Sequence, residues 1–195
     1  MTSSSPERCA LVTGAARRLG RAIAEDLAQA GWRVAVHYQT SEAEARSLLV
    51  EIEASGGRAA AVQADLSDIE ALPALIAESA KALGPVTCLV NNAACFSWDW
   101  PDNFAETGWT QHHEVNLRAP VFLTQAFAKA LPGGTEGNVI NLIDQKVHAL
   151  NPHYFTYTIA KSALWTATRT LAQALAPQIR VNAIAPGPVL PFEGQ

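Results

Sequence analysis

The feature that most constrains the fold of this chain is an alternation of short apolar runs with longer stretches of helical periodicity. The apolar runs are rich in Val, Ile and Ala, and they are continuously hydrophobic rather than alternately apolar and polar. Continuous hydrophobicity is expected of strands in a parallel sheet whose two faces are both covered by helices. The predicted strands span Cys9–Gly14, Arg33–Tyr38, Arg58–Asp65, Val86–Ala93, Gly137–Ile143 and Ile179–Ala185.

The stretches between these runs have the periodicity and the terminal residues of helices. Ser41 and Asp68 are suitable N-caps, and Gly31, Gly56 and Gly84 suit helix C-termini. The predicted helices span Leu19–Ala30, Ser41–Ala54, Asp68–Leu83, Thr107–Leu131 and His153–Ala176. The sequence therefore predicts an α/β fold with a doubly wound parallel sheet. With 195 residues, 49% of them hydrophobic, we expect one domain over residues 1–195, with residues 1–7 as a disordered leader.

Composition argues against several classes of partner. A formal net charge of -4 with dispersed lysines and arginines argues against nucleic acid. The sequence has no apolar run long enough for a membrane helix and no apolar signal core near its start, so we predict a cytoplasmic protein that does not contact the membrane. The last predicted helix carries Trp165 among leucines and alanines on most of its circumference, which predicts a homo-oligomer, either a dimer or a tetramer.

The cysteines indicate no covalent or metal framework. Cys9, Cys88 and Cys95 are odd in number and lack metal-ligand spacing, so we expect neither disulfides nor a metal site. Cys9 and Cys88 lie in apolar runs and are expected to be buried. Cys95 follows a strand end, where it is either a reactive thiol or another unreactive side chain.

A glycine-containing loop follows the first strand, with the sequence Thr13-Gly14-Ala15-Ala16-Arg17-Arg18-Leu19-Gly20. A strand that passes through a tight turn into a helix presents free backbone N–H groups and a positive dipole end, which suit a pyrophosphate. Because Arg18 stands where a middle glycine is expected, an ordinary strand-to-helix turn is the alternative. Asp65 and Asn92 end the third and fourth strands at the same carboxyl edge, where open parallel sheets bind ligands.

A second constellation consists of Asn116, Asp144, Tyr157 and Lys161. Tyr157 and Lys161 are four residues apart and share one face of a helix, where an ammonium favours the ionised form of a phenol. Such a pair can deliver a proton while a hydride is transferred. The alternative is that Tyr157 is a buried structural tyrosine.

Together these motifs resemble those of the short-chain dehydrogenase/reductase family over essentially the whole chain. The residues that carry the resemblance are the Thr13-Gly14 loop, Asn91-Asn92-Ala93, Tyr157 with Lys161, and Pro186-Gly187. The resemblance implies a Rossmann-type fold in which Tyr157 donates a proton, Lys161 stabilises the tyrosinate and binds the nicotinamide ribose, and Asn116 helps to hold a water. Family members continue through a further helix and a seventh strand, which we expect to be lacking in a chain that stops at Gln195.

The charge pattern favours NADPH over NADH. An NAD-preferring site usually has an acidic residue at the end of the second strand, whereas this chain has His37-Tyr38-Gln39-Thr40-Ser41 there. Arg17 and Arg18, together with Ser41 at a helix N-terminus, can receive the additional phosphate, unless both arginines are merely solvated. We predict that the cofactor is bound by Gly14, Arg17, Arg18, Leu19, Gly20, His37, Tyr38, Ser41, Asp65, Leu66, Asn92, Ala93, Tyr157, Lys161, Pro186 and Gly187.

Asp144 distinguishes this chain from most members of the family, which have a serine thirteen residues before the tyrosine. A carboxylate is repelled by a developing oxyanion, but it accepts a hydrogen bond from nitrogen. The set of Asp144, Tyr157 and Lys161 resembles the pteridine reductase branch, as do the glycine loop and Phe96. The resemblance implies that Phe96 and the nicotinamide sandwich a flat pterin. Phe96, Asp144 and Tyr157 are thus the predicted substrate-binding residues, and the alternative for Phe96 is a core position.

The sequence therefore predicts an NADPH-dependent reductase of a dihydropterin or dihydrofolate-like small molecule. Tyr157 and Asp144 would deliver the proton, with Lys161 and Asn116 as the other catalytic residues. The alternatives are a general carbonyl or 3-oxoacyl reductase of the same family and a non-catalytic NADP-binding subunit.

Overall fold

The computed structural model describes residues 8–187, and within this range the chain forms a six-stranded parallel sheet. The strands are β1 (Cys9–Val12), β2 (Arg33–Tyr38), β3 (Arg58–Gln63), β4 (Cys88–Asn91), β5 (Gly137–Leu142) and β6 (Ile179–Ile184). Their order across the sheet is β3-β2-β1-β4-β5-β6. The register is fixed at the centre, where Val12 of β1 lies beside Val36 of β2 and Val90 of β4. The predicted doubly wound α/β fold is confirmed.

Helices cover both faces of this sheet. They are α1 (Arg18–Gln29), α2 (Glu42–Ala54), α3 (Ala71–Leu83), α4 (Glu106–His113), α5 (Ala119–Ala130) and α6 (Phe155–Leu175). One core cluster joins the sheet to α3 and α5 through residues such as Leu75 and Phe127, and the other joins it to α1 and α2 through residues such as Leu48. Because both faces are covered, β1 is buried over its whole length, as its continuous hydrophobicity predicts.

The predicted helix Thr107–Leu131 is not one continuous α-helix. It is divided into α4 and α5 by a π-helical turn over Glu114–Arg118. A π-helical turn adds one residue to a helical turn, so the side chains on either side of it change phase. Asn116 lies in this turn and is fully buried. The prediction of unbroken helix is wrong there because helical periodicity continues on both sides of the turn and does not mark the position of one inserted residue.

The predicted helix caps are partly confirmed. Ser41 is the N-cap of α2, although its side chain makes no capping hydrogen bond. Asp68 is not the N-cap of α3, since that helix begins at Ala71, and the Asp68 carboxylate instead accepts a hydrogen bond from the Glu70 N–H at 3.0 Å. Three glycines at helix ends have the positive φ that favours glycine, namely Gly31, Gly56 and Gly84.

The helix α6 has a polar face in addition to the apolar residues that the sequence predicts on most of its circumference. Leu164 is fully buried, whereas Arg169 and Thr170 are exposed and give the helix a polar face. Trp165 is half-buried, with its ring centroid 5.9 Å from that of His148. No helix among the residues that the structure describes is long and apolar enough to cross a membrane. The predicted leader and the chain end at Gln195 lie outside the described residues.

Candidate functional site

A cleft of about 790 Å³ lies at the carboxyl edge of the sheet, where the strand order reverses between β1 and β4. Open parallel sheets bind ligands at such a switch point. The cleft is lined by all the predicted cofactor and substrate residues: Gly14, Arg17, Arg18, Leu19, Gly20, His37, Tyr38, Ser41, Asp65, Leu66, Asn92, Ala93, Phe96, Asp144, Tyr157, Lys161, Pro186 and Gly187. Asn116 is the predicted catalytic residue that does not line it. The sequence reasoning did not predict that Tyr154, Gln145 and Lys146 also line the cleft.

The turn after β1 is held tightly against the end of β4. Gly14 has a φ of 62°, and the side-chain amide of Asn92 donates to the carbonyl oxygens of Thr13 at 2.9 Å and Gly14 at 3.3 Å. A Cβ atom at Gly20 would lie 2.2 Å from the Gly14 carbonyl oxygen, so only glycine fits there. The N-terminus of α1 then begins directly at the cleft. This arrangement fits the pyrophosphate of a dinucleotide, which needs close approach to backbone N–H groups.

His37 holds the turn after β1 through a hydrogen bond to its backbone. Its Nδ1 atom accepts a hydrogen bond from the Gly14 N–H at 3.0 Å, so its other ring nitrogen, 3.2 Å from the Ala64 carbonyl oxygen, must carry the proton. Burial lowers the pKa of His37 to about 4, which keeps the ring neutral. Both ring nitrogens are therefore used within the protein, and His37 orients the glycine loop.

Asp144, Tyr157 and Lys161 converge between the end of β5 and the start of α6. The Tyr157 hydroxyl donates to Asp144 Oδ2 at 3.0 Å, and Asp144 Oδ1 accepts from the Lys146 N–H at 2.8 Å. Lys161 Nζ donates to the Leu142 carbonyl oxygen at 2.7 Å and lies 5.8 Å from the centroid of the Tyr157 ring. The predicted phenol, ammonium and carboxylate are thus brought together at one wall of the cleft.

Burial is the main influence on the charge states of Tyr157 and Lys161. Burial, followed by the neighbouring Asp144, raises the pKa of the Tyr157 phenol. Burial also lowers the pKa of the Lys161 ammonium to about 8. Asp144 adds to the effect of burial, because it accepts the phenol hydrogen bond and its negative charge opposes a second one. Tyr157 therefore keeps its proton at neutral pH, as an acid must before it acts. The stabilisation of a tyrosinate by Lys161 stays a prediction.

The side chain of Asn116 clamps the loop that follows β4. Its Oδ1 atom accepts from the Cys95 N–H at 2.8 Å, and its Nδ2 atom donates to the Cys95 carbonyl oxygen at 2.9 Å. Both polar groups of this buried amide are thereby satisfied by one backbone residue. The water-holding role implied by the family resemblance stays a prediction, and the structure adds a clamping role for the side chain.

Phe96, the next residue in this loop, belongs to an aromatic group at the mouth of the cleft. Its ring stacks on that of Tyr154, with centroids 4.2 Å apart, and is nearly perpendicular to the Tyr157 ring, with centroids 4.8 Å apart. Phe96 is 40% exposed, so it is not a core side chain. Tyr154 has a left-handed backbone with a φ of 57°, and it precedes Tyr157 by one helical turn. This spacing of one turn from Tyr157 is the sequence feature from which Tyr154 could have been predicted to line the cleft.

The opposite end of the cleft carries the residues predicted to bind an additional phosphate. Arg17 Nη1 lies 4.0 Å from Glu44 Oε1, and both side chains are largely exposed. An exposed pair of this kind is worth little and can be exchanged for another anion. The N-terminus of α2, capped by Ser41, faces the same region. The acidic residues Glu42 and Glu44 in the first turn of α2 oppose an anion there.

The thiols and acids near the cleft form no metal site. Among residues 8–187, no group of His, Cys, Asp and Glu could hold a metal ion. Cys9 and Cys88 are buried, and burial raises the pKa of each to about 11. Burial also raises the pKa of the Cys95 thiol, which argues against a reactive thiolate. The Asp65 carboxylate accepts hydrogen bonds from the N–H and hydroxyl of Ser67, which lower its pKa.

Comparison with known proteins identifies the class to which this fold and cleft belong. The family model described as short chain dehydrogenase matches residues 8–192. The chain belongs to this family of oxidoreductases. It is 35% identical over 184 residues to an uncharacterized oxidoreductase of Methylorubrum extorquens, which covers 94% of this chain and 73% of that protein. It is 34% identical over 181 residues to the 3-oxoacyl-(acyl-carrier-protein) reductase FabG of Staphylococcus aureus, with coverage of 92% and 74% respectively.

The similar solved structures include two members of one branch. FolM alternative dihydrofolate reductase 1 from Brucella suis, in complex with NADP, is 50% identical with a TM-score of 0.91, over 95% of this chain and 77% of that one. The Brucella canis FolM protein, complexed with NADP, is 49% identical with a TM-score of 0.93, over 96% and 74%. These similarities confirm the predicted resemblance to the pteridine reductase-like branch.

Proposed function

We propose that the protein is an NADPH-dependent reductase of dihydropterin or dihydrofolate-like substrates. The observation that carries the proposal is the hydrogen bond from the Tyr157 hydroxyl to Asp144 Oδ2, 3.0 Å long, at the wall of the cleft. A carboxylate in this position accepts hydrogen bonds from ring nitrogens and amino groups, and it repels the oxyanion that develops when a ketone is reduced. The similarity to two FolM alternative dihydrofolate reductases supports the same substrate class.

The residues of the cleft fit NADPH, which supplies the hydride when it is bound. Gly14 and Gly20 let the turn after β1 pack tightly against the end of β4, because a Cβ at either position would meet Ala93, Asn92 or the Gly14 carbonyl oxygen, and the turn leads into the N-terminus of α1, which suits a pyrophosphate. The end of β2 has no carboxylate, and Arg17 and Ser41, which line this part of the cleft, are the residues that we propose to contact the additional phosphate. The NADP complexes of the FolM proteins support this choice of cofactor.

Three side chains of this chain hold the proton that the reaction needs, orient it and stabilise the charge that its transfer leaves. Tyr157 holds it on the phenol oxygen, since its raised pKa keeps the hydroxyl protonated. Asp144 orients that hydroxyl and is itself held by the Lys146 N–H. Lys161, anchored to the Leu142 carbonyl oxygen, places a positive charge where a tyrosinate left by proton transfer needs one. Phe96 presents a partly exposed ring against which a flat heterocycle can stack.

The test is a substrate panel with NADPH, in which dihydropterins and dihydrofolate are compared with ketones and 3-oxoacyl thioesters. We expect the dihydropterins to be reduced with the highest kcat/KM. Asp144→Ser should lower kcat/KM for dihydropterin by about 100-fold or more, the usual contribution of a proton-transfer group, and leave the Kd of NADPH within about twofold. Unchanged dihydropterin reduction by Asp144→Ser and Asp144→Ala would sink the proposed role of Asp144.

A second candidate is a general carbonyl or 3-oxoacyl reductase, which the similarity to Staphylococcus aureus FabG favours. In that case ketones or oxoacyl thioesters would exceed dihydropterins in the panel. A non-catalytic NADP-binding subunit would oxidise NADPH with none of the substrates. The same panel run with NADH tests the cofactor, since equal affinity for both nucleotides would contradict the proposed phosphate site.

We further propose that the protein acts in the cytoplasm as a homodimer or homotetramer. The half-buried Trp165 on α6 supports a contact between copies, because a large indole ring on a helix face is costly to leave in water. Light scattering coupled to size exclusion measures the assembly directly, and a monomer at micromolar concentration would contradict this part of the proposal.

A further inference from the structure

Four polar side chains beside the cleft form one continuous chain of hydrogen bonds, which we name the histidine network: Ser97, His112, Thr156 and Asp99. His112 Nε2 accepts from the Ser97 N–H at 3.2 Å and lies 3.1 Å from the Ser97 hydroxyl oxygen. His112 Nδ1 lies 2.6 Å from the Thr156 hydroxyl oxygen, and that hydroxyl donates to Asp99 Oδ2. The network joins the loop after β4, α4 and the start of α6.

The hydrogen bonds that lead from the Ser97 backbone N–H through His112 and Thr156 to Asp99 each have a defined direction. Because a backbone N–H can only donate, His112 Nε2 must be the accepting nitrogen, and the ring proton lies on Nδ1. Nδ1–H then donates to Thr156, whose hydroxyl proton is directed to Asp99. The exposed fractions of His112, Thr156 and Asp99 are 1%, 0% and 8%, so loss of the hydrogen-bond partner of any one of them destabilises the folded protein. Burial lowers the pKa of His112, which favours the neutral ring that this direction requires.

This geometry does not make Ser97 a nucleophile. A serine beside a histidine can be activated only if the facing ring nitrogen is free to take the hydroxyl proton. In this network the lone pair of His112 Nε2 already accepts the Ser97 N–H. The ring therefore serves as an anchor for the loop backbone.

The anchored loop carries Phe96 between two fixed neighbours. Asn116 holds Cys95 on one side, and His112 holds Ser97 on the other. The same loop is tied to α6, because the Asp99 carbonyl oxygen accepts from the Tyr154 N–H at 3.1 Å.

The α6 end of the network reaches the residues that face Phe96. Thr156 lies between Tyr154 and Tyr157, whose ring centroids are 4.2 and 4.8 Å from that of Phe96. The backbone N–H of Thr156 also lies 3.3 Å from Asp99 Oδ1. The start of α6 is therefore fixed to the loop by both the backbone and the side chain of one threonine.

We propose that the histidine network is a positioning device for the substrate pocket, which fixes the ring of Phe96 relative to the Tyr157 hydroxyl and so sets the affinity for a flat aromatic ring. The identity of that ring rests on the proposed function. Thr156 is the central residue of the network, because its hydroxyl contacts both His112 and Asp99.

The experiment compares Thr156→Val, which removes the hydroxyl at nearly constant volume, with Thr156→Ser, which keeps it. Thr124→Val is the matched control, since Thr124 is fully buried in α5 and its hydroxyl donates at 2.7 Å to the Pro120 carbonyl oxygen of its own helix. The first measurement needs no substrate: it is hydrogen–deuterium exchange of the Ser97 amide. We expect protection of this amide to fall at least tenfold in Thr156→Val and to be unchanged in Thr156→Ser and Thr124→Val.

The second measurement is the KM for dihydropterin and the Kd of NADPH in the same three variants. We expect Thr156→Val to raise KM about tenfold with little change in the Kd of NADPH, and Thr156→Ser to restore KM to within about twofold, as loss of one buried hydrogen bond predicts. Equal KM values for Thr156→Val and Thr124→Val, or unchanged protection of the Ser97 amide, would overturn the proposal. If the wild type reduces no dihydropterin, the proposed function fails while the exchange measurement still decides whether the network holds the loop.

A measurement on the wild type keeps the inference testable if Thr156→Val does not fold. Nitrogen chemical shifts of labelled histidine report the tautomer of each neutral ring. The geometry requires His112 to carry its proton on Nδ1, and a ring protonated on Nε2 at neutral pH would refute the direction on which the network depends.

Discussion

Replacing Gly20 with alanine tests whether the glycine loop has the close fit described for a dinucleotide site. The added Cβ would lie 2.2 Å from the Gly14 carbonyl oxygen and 2.5 Å from Asn92 Nδ2. Nonbonded heavy atoms reach favourable contact near 3.5 Å, so the Gly14 carbonyl must move by about 1 Å. The Asn92 amide must move as well, although it holds the carbonyl oxygens of Thr13 and Gly14.

The magnitude follows from these two displacements. Overpacking of a tight site costs about 1–3 kcal/mol, and weakening a partly buried hydrogen bond adds about 1 kcal/mol. We therefore expect Gly20→Ala to reduce the free energy of unfolding by about 2–4 kcal/mol, which lowers Tm by roughly 5–15 °C for a chain of this size. The Kd of NADPH should rise at least about tenfold, because the backbone N–H groups at the start of α1 move away from the pyrophosphate.

The assay is urea denaturation together with NADPH titration, and Gly108→Ala is the matched control. Gly108 lies within α4, and a Cβ there would meet no atom within 4 Å. Alanine is the better helix former, so Gly108→Ala should stabilise the protein by about 0.5–1 kcal/mol. A Gly20→Ala protein with wild-type stability and NADPH affinity would show that the loop is looser than the contacts imply, and the reasoning would be refuted.

Two further predictions concern titratable groups. The pKa of His37 is lowered from 6.5 to about 4 in the folded protein. The stability that its neutral ring contributes is therefore complete above pH 6.5 and is lost as the pH falls towards 4. The total loss is about 3 kcal/mol. His37→Gln should be less stable than the wild type at pH 7.5, and urea denaturation should show that this difference narrows at pH 5; a constant difference would contradict the buried neutral ring. Because the pKa values of Cys9 and Cys88 are raised to about 11, neither thiol should react with iodoacetamide at pH 8 until urea unfolds the chain, and mass spectrometry of rapidly labelled native protein would refute this if it found either one modified.

The sheet and the position of the cleft could be predicted because they follow from local patterns. Strands covered on both faces are apolar throughout, and parallel strands place all their carboxyl ends at one edge. The polar residues that follow β3, β4 and β5 therefore had to meet there, as Asp65, Asn92 and Asp144 do. Each of these predictions needed only the order of the elements along the chain.

The supporting contacts could not be predicted because they join distant segments without a local signature. The histidine network combines residues near 97, 112 and 156, and no spacing relates these positions. The clamp at Asn116 depends on the π-helical turn, which one added residue creates. The raised pKa of Tyr157 depends first on burial of the phenol and then on Asp144, and the degree of burial follows from tertiary packing, which no local pattern gives.

The direction of the hydrogen bond between Tyr157 and Asp144 bears on the choice between a pterin and a ketone. An ionised carboxylate only accepts, so the phenol proton points to Asp144 and a substrate atom must compete for it. A ketone offers only hydrogen-bond acceptors. It has no donor to occupy Asp144, so its oxygen must compete with the carboxylate for the phenol proton. A heterocycle that carries both an N–H or amino group and an acceptor nitrogen can donate to Asp144, which frees the phenol proton for the acceptor nitrogen of the same ring. Under the proposed function we therefore expect Asp144 to favour substrates that combine a donor and an acceptor, and Asp144→Ser should shift the preference towards ketones because a serine hydroxyl can donate to their oxygen.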